Sequence, residues 1–87
     1  MKFLAISTNR DDPTPHIPAE LARTAELVEA GVLERVLLKA DRSGVVLVLE
    51  VSDAVAARAV VDSLPLVQHG VTRFDLTELM EVPTQVA

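Results

Sequence analysis

Gly31 to Val51, GVLERVLLKADRSGVVLVLEV, is the stretch whose reading decides the fold. Two apolar, β-branched runs flank Asp41-Arg42-Ser43-Gly44, a polar tetrad with Asp first and Gly last, as a type I turn prefers. The stretch predicts a β-hairpin. Placing Asp41 opposite Gly44 sets Ala40 against Val45, Leu38 against Leu47 and Arg35 against Glu50. One face then carries Val36, Leu38, Ala40, Val45, Leu47 and Leu49, all apolar. The other carries Arg35, Leu37, Lys39, Val46, Val48 and Glu50, apolar in the middle with charges placed on it. A sheet built on this hairpin needs cover on both faces.

Upstream, Lys2 to Thr8 reads as a strand with Phe3, Ala5 and Ser7 on one side and Leu4, Ile6 and Thr8 on the other. Asn9 to Ile17, with its two prolines and two aspartates, reads as a loop. Pro18 opens a helix in its first turn, where a missing N–H costs nothing, and Glu20 suits the positive end of the helix dipole. Leu21, Ala25, Val28 and Val32 form its apolar stripe, widened by Leu27, and Gly31 fits the position just past its end. The acidic residues Glu20, Glu26 and Glu29 read as solvated surface.

Downstream, Ser52 and Asp53 are alternative N-caps for a second helix, Ala54 to Leu64, with Ala57, Val60, Val61 and Leu64 inward. Pro65 stops it. A last strand, Val71 to Met80, puts Phe74 and Leu76 on one face and Val71, Arg73 and Asp75 on the other, and Pro83 leaves a short tail. The order is β-α-β-β-α-β. Right-handed crossovers then place both helices on one face of a four-stranded antiparallel sheet, a ferredoxin-like α+β domain spanning residues 1–87. Val46, Val48, Leu37, Ala5 and Phe3 are expected on the uncovered face. An open apolar sheet of this size marks an interface. A homodimer through that face is the simplest expectation, with a higher oligomer open.

Composition narrows the function classes. A net charge of −5 and only two aromatic residues, Phe3 and Phe74, leave no basic groove with stacking rings, so no nucleic-acid partner is expected. No apolar run approaches the ~20 residues of a membrane span, and the N-terminal apolar run is too short for a signal peptide. A cytoplasmic protein without membrane partners is the expectation. With no cysteine, disulfides and thiolate chemistry are excluded. Two histidines and scattered acids give no metal-ligand spacing.

The segment from Gly31 to Val67 resembles the muconolactone isomerase-like family of the dimeric α+β barrel superfamily. The likeness lies in Gly31 before the second strand, the short hairpin, and Glu50-Val51 before a polar residue that starts the second helix. Leu64-Pro65-Leu66 closes that helix in the same way. The resemblance implies a proton shift along a small unsaturated substrate without a cofactor. It also implies a small acidic organic ligand in a cleft between the strands and a partner subunit. Where those isomerases are rich in aromatics and histidine on the second strand, this chain has Leu33, Arg35 and Leu37, which implies a different pocket.

Arg35 and Glu50, opposite one another in the expected register, read either as substrate-binding cation and proton-transferring carboxylate or as a cross-strand ion pair. Arg73 and Asp75 share a face of the last strand and can complete a polar patch with Ser7; the alternative is a solvated or dimer-contact salt bridge. His69, beside Gly70, has the titration range for acid–base work or is an ordinary loop residue. His16 is either part of a lid or plain surface. The leading expectation is a cofactor-independent, isomerase-like or lyase-like enzyme acting on a small unsaturated lactone, carboxylic acid or polyketide-type metabolite. Glu50, Asp75 and His69 are its catalytic candidates; Arg35, Arg73 and Ser7 would bind substrate. The alternative is a non-catalytic dimeric module for small-molecule binding or assembly. A cofactor-free oxygenase is disfavoured by the scarcity of aromatics.

Overall fold

The computed structural model describes residues 1–84; the end of the expected tail, residues 85–87, lies outside the described residues. Strands β1 (Lys2–Asn9), β2 (Leu33–Leu38), β3 (Val45–Glu50) and β4 (Thr72–Leu79) form one antiparallel sheet in the order β2-β3-β1-β4. Helices α1 (Ile17–Glu29), α2 (Ala54–Asp62) and the short α3 (Pro65–Gln68) cover one face of it. This is the expected ferredoxin-like βαββαβ arrangement.

Local chemistry sets the helix ends. Pro18 occupies the first turn of α1, and Gly31, at φ +75°, ends it. The Gly31 N–H donates to Val28 O (3.1 Å) and the Val32 N–H to Leu27 O (3.1 Å), the paired bonds of a Schellman cap. Of the two N-cap candidates for α2, Asp53 is used: its carboxylate accepts from the Ala56 N–H at 2.8 Å. Pro65 stops α2 and also starts α3, which ends on Gly70 at φ +69° with the same cap geometry, Val71 N–H to Leu66 O at 2.8 Å. The segment between α2 and the last strand is thus a helical turn bracketed by Pro65 and Gly70.

Three expectations are corrected. The hairpin register is shifted by two residues: Val36 opposes Leu47, Leu38 opposes Val45, and Arg35 opposes Val48 rather than Glu50. The Lys39 N–H donates to Gly44 O (3.0 Å), so the loop runs from Ala40 to Ser43. Asp41 folds it by accepting from the Ser43 N–H (3.0 Å) and Oγ (2.6 Å). A two-residue slip keeps every side chain on its face, so hydrophobic alternation cannot detect it. A bulge between Leu33 and Arg35 then turns Leu33 inward while Arg35 and Leu37 point outward.

Second, Phe3 and Ala5 lie under the helices, 3% and 0% exposed, because Phe3 pairs with Leu49 and Ala5 with Leu47. Leu4 and Ile6 take their place on the open face beside Val46, Val48 and Leu37. The first strand is apolar on both sides, so its alternation alone does not choose a face. Val71, expected on the outer face, is also buried.

Third, α1 is rotated from the expected stripe. Leu21 and Val28 are 64% and 51% exposed, whereas Leu27 is buried and Glu20 and Thr24 are half-buried at the same i, i+4, i+7 spacing. Leu27 joins Leu33, Leu47, Leu49, Ala57, Val61, Leu64, Phe3 and Phe74 in the core. Toward its N-terminal end the inward stripe turns polar, and there the helix leaves a gap above the sheet.

Candidate functional site

That gap is a cavity of about 480 Å³, within the ~300–1,000 Å³ typical of small-molecule sites. Its floor is the helix-facing side of the sheet: Ser7, Val45, Leu47, Thr72 and Phe74. Its roof is α1, through Ile17, Glu20, Leu21 and Thr24, and Leu64 and Leu66 close one wall. Val36, Leu38 and Arg42 reach it from the hairpin, and their exposure marks the mouth.

The polar groups of this cavity stand apart from the rest of the interior. Ser7 and Thr72 are the two buried polar residues of the described chain, at 2% and 5% exposure, and both line the cavity. They are diagonal neighbours on β1 and β4, since Ser7 opposes Phe74 and Asn9 opposes Thr72. Such neighbours sit ~7–8 Å apart. Ser7 Oγ accepts from the Val45 N–H at 2.8 Å, which leaves its own O–H free to donate. Thr72 Oγ1 has no hydrogen-bond partner at all among the described residues. A buried hydroxyl without a partner is costly, on the order of 1–3 kcal/mol.

Glu20 faces the same space. Its Oε1 accepts from the Leu66 N–H at 3.0 Å, tying α1 to the start of α3. Burial raises its carboxyl pKa above the ordinary glutamate value, and the Leu66 hydrogen bond offsets part of that. A half-buried carboxylate with a raised pKa in a cleft has the properties of a proton carrier. Glu20, expected on solvated surface, is half-buried and lines the cavity. The signal was present in the Glu20, Thr24, Leu27 spacing, but the more apolar Leu21, Ala25, Val28 stripe outweighed it.

The residues singled out from sequence separate into three places. Ser7 is in the cavity and therefore not beside Arg73 and Asp75, which project from the opposite face of β4 opposite Thr8 and Ile6. Arg35 is also on that open face. Glu50 opposes Lys2 near the far end of the sheet, with its carboxylate 3.2 Å from the Met1 amino group. His69 caps α3 and stacks on His16, their ring centroids 4.2 Å apart. Among the described residues no group of three metal-ligating side chains converges there or elsewhere.

No protein-family model and no curated sequence matches the chain. Among solved structures it is similar to 5-chloro-2-hydroxyhydroquinone dehydrochlorinase (TftG) from Burkholderia phenoliruptrix AC1100, in complex with 2,5-dihydroxybenzoquinone. The TM-score is 0.77 at 18% identity, covering 94% of this chain and 96% of that one. A likeness at this identity is one of fold, and the shared fold is the ferredoxin-like α+β domain, a four-stranded antiparallel sheet with helices on one face. No helix among the described residues is long and apolar enough to cross a membrane.

Proposed function

We propose that this protein is a small-molecule enzyme whose site is the cavity between α1 and the sheet, and that it moves a proton within a small, oxygen-bearing unsaturated substrate. The observation that carries this is the placement of both buried polar side chains, Ser7 and Thr72, on the floor of one cavity, with Thr72 unpartnered. A ligand oxygen seated there supplies the missing partner. The relative of the same fold, bound to 2,5-dihydroxybenzoquinone, supports a compact ring carrying oxygens as the ligand type.

In this reading Ser7 and Thr72 hold a carbonyl or enol oxygen, and Glu20 exchanges protons with the adjacent carbon skeleton. The Glu20 carboxylate takes a proton from a carbon next to the held carbonyl; the C–H pair moves into the conjugated system as an enolate stabilised by the two hydroxyls. The Glu20 carboxyl returns that proton to a different carbon of the same system. Atoms and electrons balance without a further reactant, so the step is an isomerisation. This reassigns proton transfer from Glu50, Asp75 and His69 to Glu20, and removes Arg35 and Arg73 from substrate binding.

Those open-face charges then serve a second role. Leu4, Ile6, Val46, Val48 and Leu37 form the apolar centre of the uncovered sheet face, with Arg35, Glu50, Arg73 and Asp75 around it. Pairing with a second copy removes that apolar surface from water, and both charge signs on the border allow complementary contacts.

Deuterium incorporation tests the catalytic reading. Small unsaturated lactones and hydroxylated quinones are incubated with the protein in D₂O and followed by mass spectrometry. Accelerated incorporation by the native chain that is lost in Glu20→Gln supports it. Equal incorporation by both assigns the chemistry elsewhere. Binding without any accelerated exchange favours the non-catalytic binding module.

A further inference from the structure

His16 and His69 take no part in the chemistry proposed for the cavity, yet the fold brings them together beside it. His16 ends the short helical turn Thr14–His16 and adjoins the start of α1, and His69 ends α3. Their rings stack, with centroids 4.2 Å and planes 18° apart. The turn belongs to a segment that borders the cavity through Pro13, Thr14 and Ile17, while Leu66 of α3 lines the wall. That segment is anchored at both ends: the Arg10 N–H donates to Val71 O (2.7 Å), and Glu20 Oε1 accepts from the Leu66 N–H (3.0 Å). Between these anchors its hydrogen bonds are local. The Asp12 carboxylate accepts from the Thr14 N–H (3.0 Å) and Oγ1 (2.7 Å), and Pro13 O accepts from the His16 N–H (2.9 Å). The imidazole stack thus ties the middle of the segment to the end of α3 through two titratable rings.

We propose that this stack is an acid-sensitive latch on the cavity mouth. It holds residues 11–17 against α3 while at least one ring is neutral, and it releases them when both rings are charged. This rests on the cavity being the ligand site. Imidazole is the side chain that ordinarily changes charge between about pH 5 and 8. One proton leaves a charged ring against a neutral one. A second puts like charges on rings 4.2 Å apart, and their repulsion favours a local opening. The charges on the surrounding elements are Arg10, Asp11 and Asp12 ahead of the turn, and Glu20 and Arg23 on α1. Asp62 ends α2, Arg73 stands near the start of β4, and α3 carries no charge. The ion pairs among the described residues involve Met1, Lys2 and Arg23, and neither imidazole is within ion-pairing distance of an acid. No carboxylate therefore offsets the second proton at contact distance.

The test follows two signals at about pH 7.5 and about pH 5, on either side of the ordinary imidazole range. One is the nuclear Overhauser effect between the His16 and His69 ring protons. The other is the association rate of the uncharged probe 4-hydroxybenzamide, read from line shapes of the Ser7 and Thr72 amides in ¹⁵N-labelled protein. In the native chain the ring-to-ring effect should vanish at the lower pH, and the probe should enter roughly tenfold faster. His16→Phe keeps a ring on His69 but removes one of the two charges, so it should show the slow rate at both pH values. His69→Glu offers protonated His16 a carboxylate and should reverse the trend, with slower entry at the lower pH. Ring contacts that persist at the lower pH in the native chain overturn the latch and leave the cavity reading intact. An acceleration that is equal in His16→Phe also overturns it and assigns the pH effect to another group. If the probe shifts neither cavity amide at either pH, the cavity reading fails and the latch falls with it.

Discussion

Gly44 rests directly on Ser7: a Cβ built at Gly44 would lie 2.0 Å from the Ser7 carbonyl oxygen and 2.9 Å from its hydroxyl oxygen. No side chain fits at that crossing, and the obstacle is backbone, which cannot swing aside. The contact lets the hairpin loop sit down on the end of β1, where the Asn9 N–H reaches Ser43 O (2.7 Å) and the Val45 N–H reaches Ser7 Oγ (2.8 Å). Gly44→Ala is therefore expected to lift the loop, open the cavity floor and cost about 3 kcal/mol, read as a lowered denaturation midpoint. Unchanged stability would show that the loop does not pack this way.

Thr72→Val exchanges an unpartnered buried hydroxyl for a methyl of nearly the same shape. The variant should gain stability, by about 1 kcal/mol, while losing affinity for oxygen-bearing ligands. A gain in stability paired with a loss in binding separates a site residue from a structural one. A clear loss of stability would mean that Thr72 Oγ1 holds a partner essential to the fold.

Glu20 sets a pH dependence whose sign follows from its raised pKa. The folded protein holds this proton more tightly than the unfolded chain. Its stabilising contribution is fully present below the ordinary glutamate pKa and is lost as the pH rises through the raised folded value. Glu20→Gln, which can still accept from the Leu66 N–H, should match the native chain at acid pH and exceed it in stability near neutrality. Turnover that depends on the Glu20 carboxylate should rise with pH over that same interval. Parallel stability curves for the two proteins from acid to neutral pH would remove the assignment.

Much of the fold was legible because it depends on quantities that alternation and end signals carry. Gly31 and Pro65 punctuate the chain where they stand, and the parity of β2 against β3 follows from Leu38 and Leu47 sharing a face. What alternation cannot carry was missed. The shift that moved Arg35 from Glu50 to Val48 preserves parity, and the face of β1 was ambiguous because Leu4 and Ile6 are as apolar as Phe3 and Ala5. The site was hidden for a related reason. Helix α1 has two stripes, and tertiary packing turned the more polar one inward, putting Glu20 and Thr24 above Ser7 and leaving Leu21 and Val28 exposed. Of the residues proposed from sequence for substrate contact, Ser7 alone lines this cavity.

The open sheet face predicts a dimer. Sedimentation equilibrium at micromolar concentration should give twice the chain mass. Placing a charge at the centre of that face with Val46→Glu should weaken association by on the order of 3 kcal/mol, roughly two decades in the dimer dissociation constant. A native chain that sediments as a monomer at these concentrations would show that this face is solvated.

The account stands most directly on where a small oxygen-bearing ring binds. A crystal structure of the protein soaked with 2,5-dihydroxybenzoquinone should show the ring between α1 and the sheet, with a ligand oxygen within hydrogen-bond distance of Ser7 Oγ or Thr72 Oγ1. Density for the ring on the opposite face, among Leu4, Ile6, Val46 and Val48, with the α1 cavity closed over a paired Thr72 hydroxyl, would contradict it.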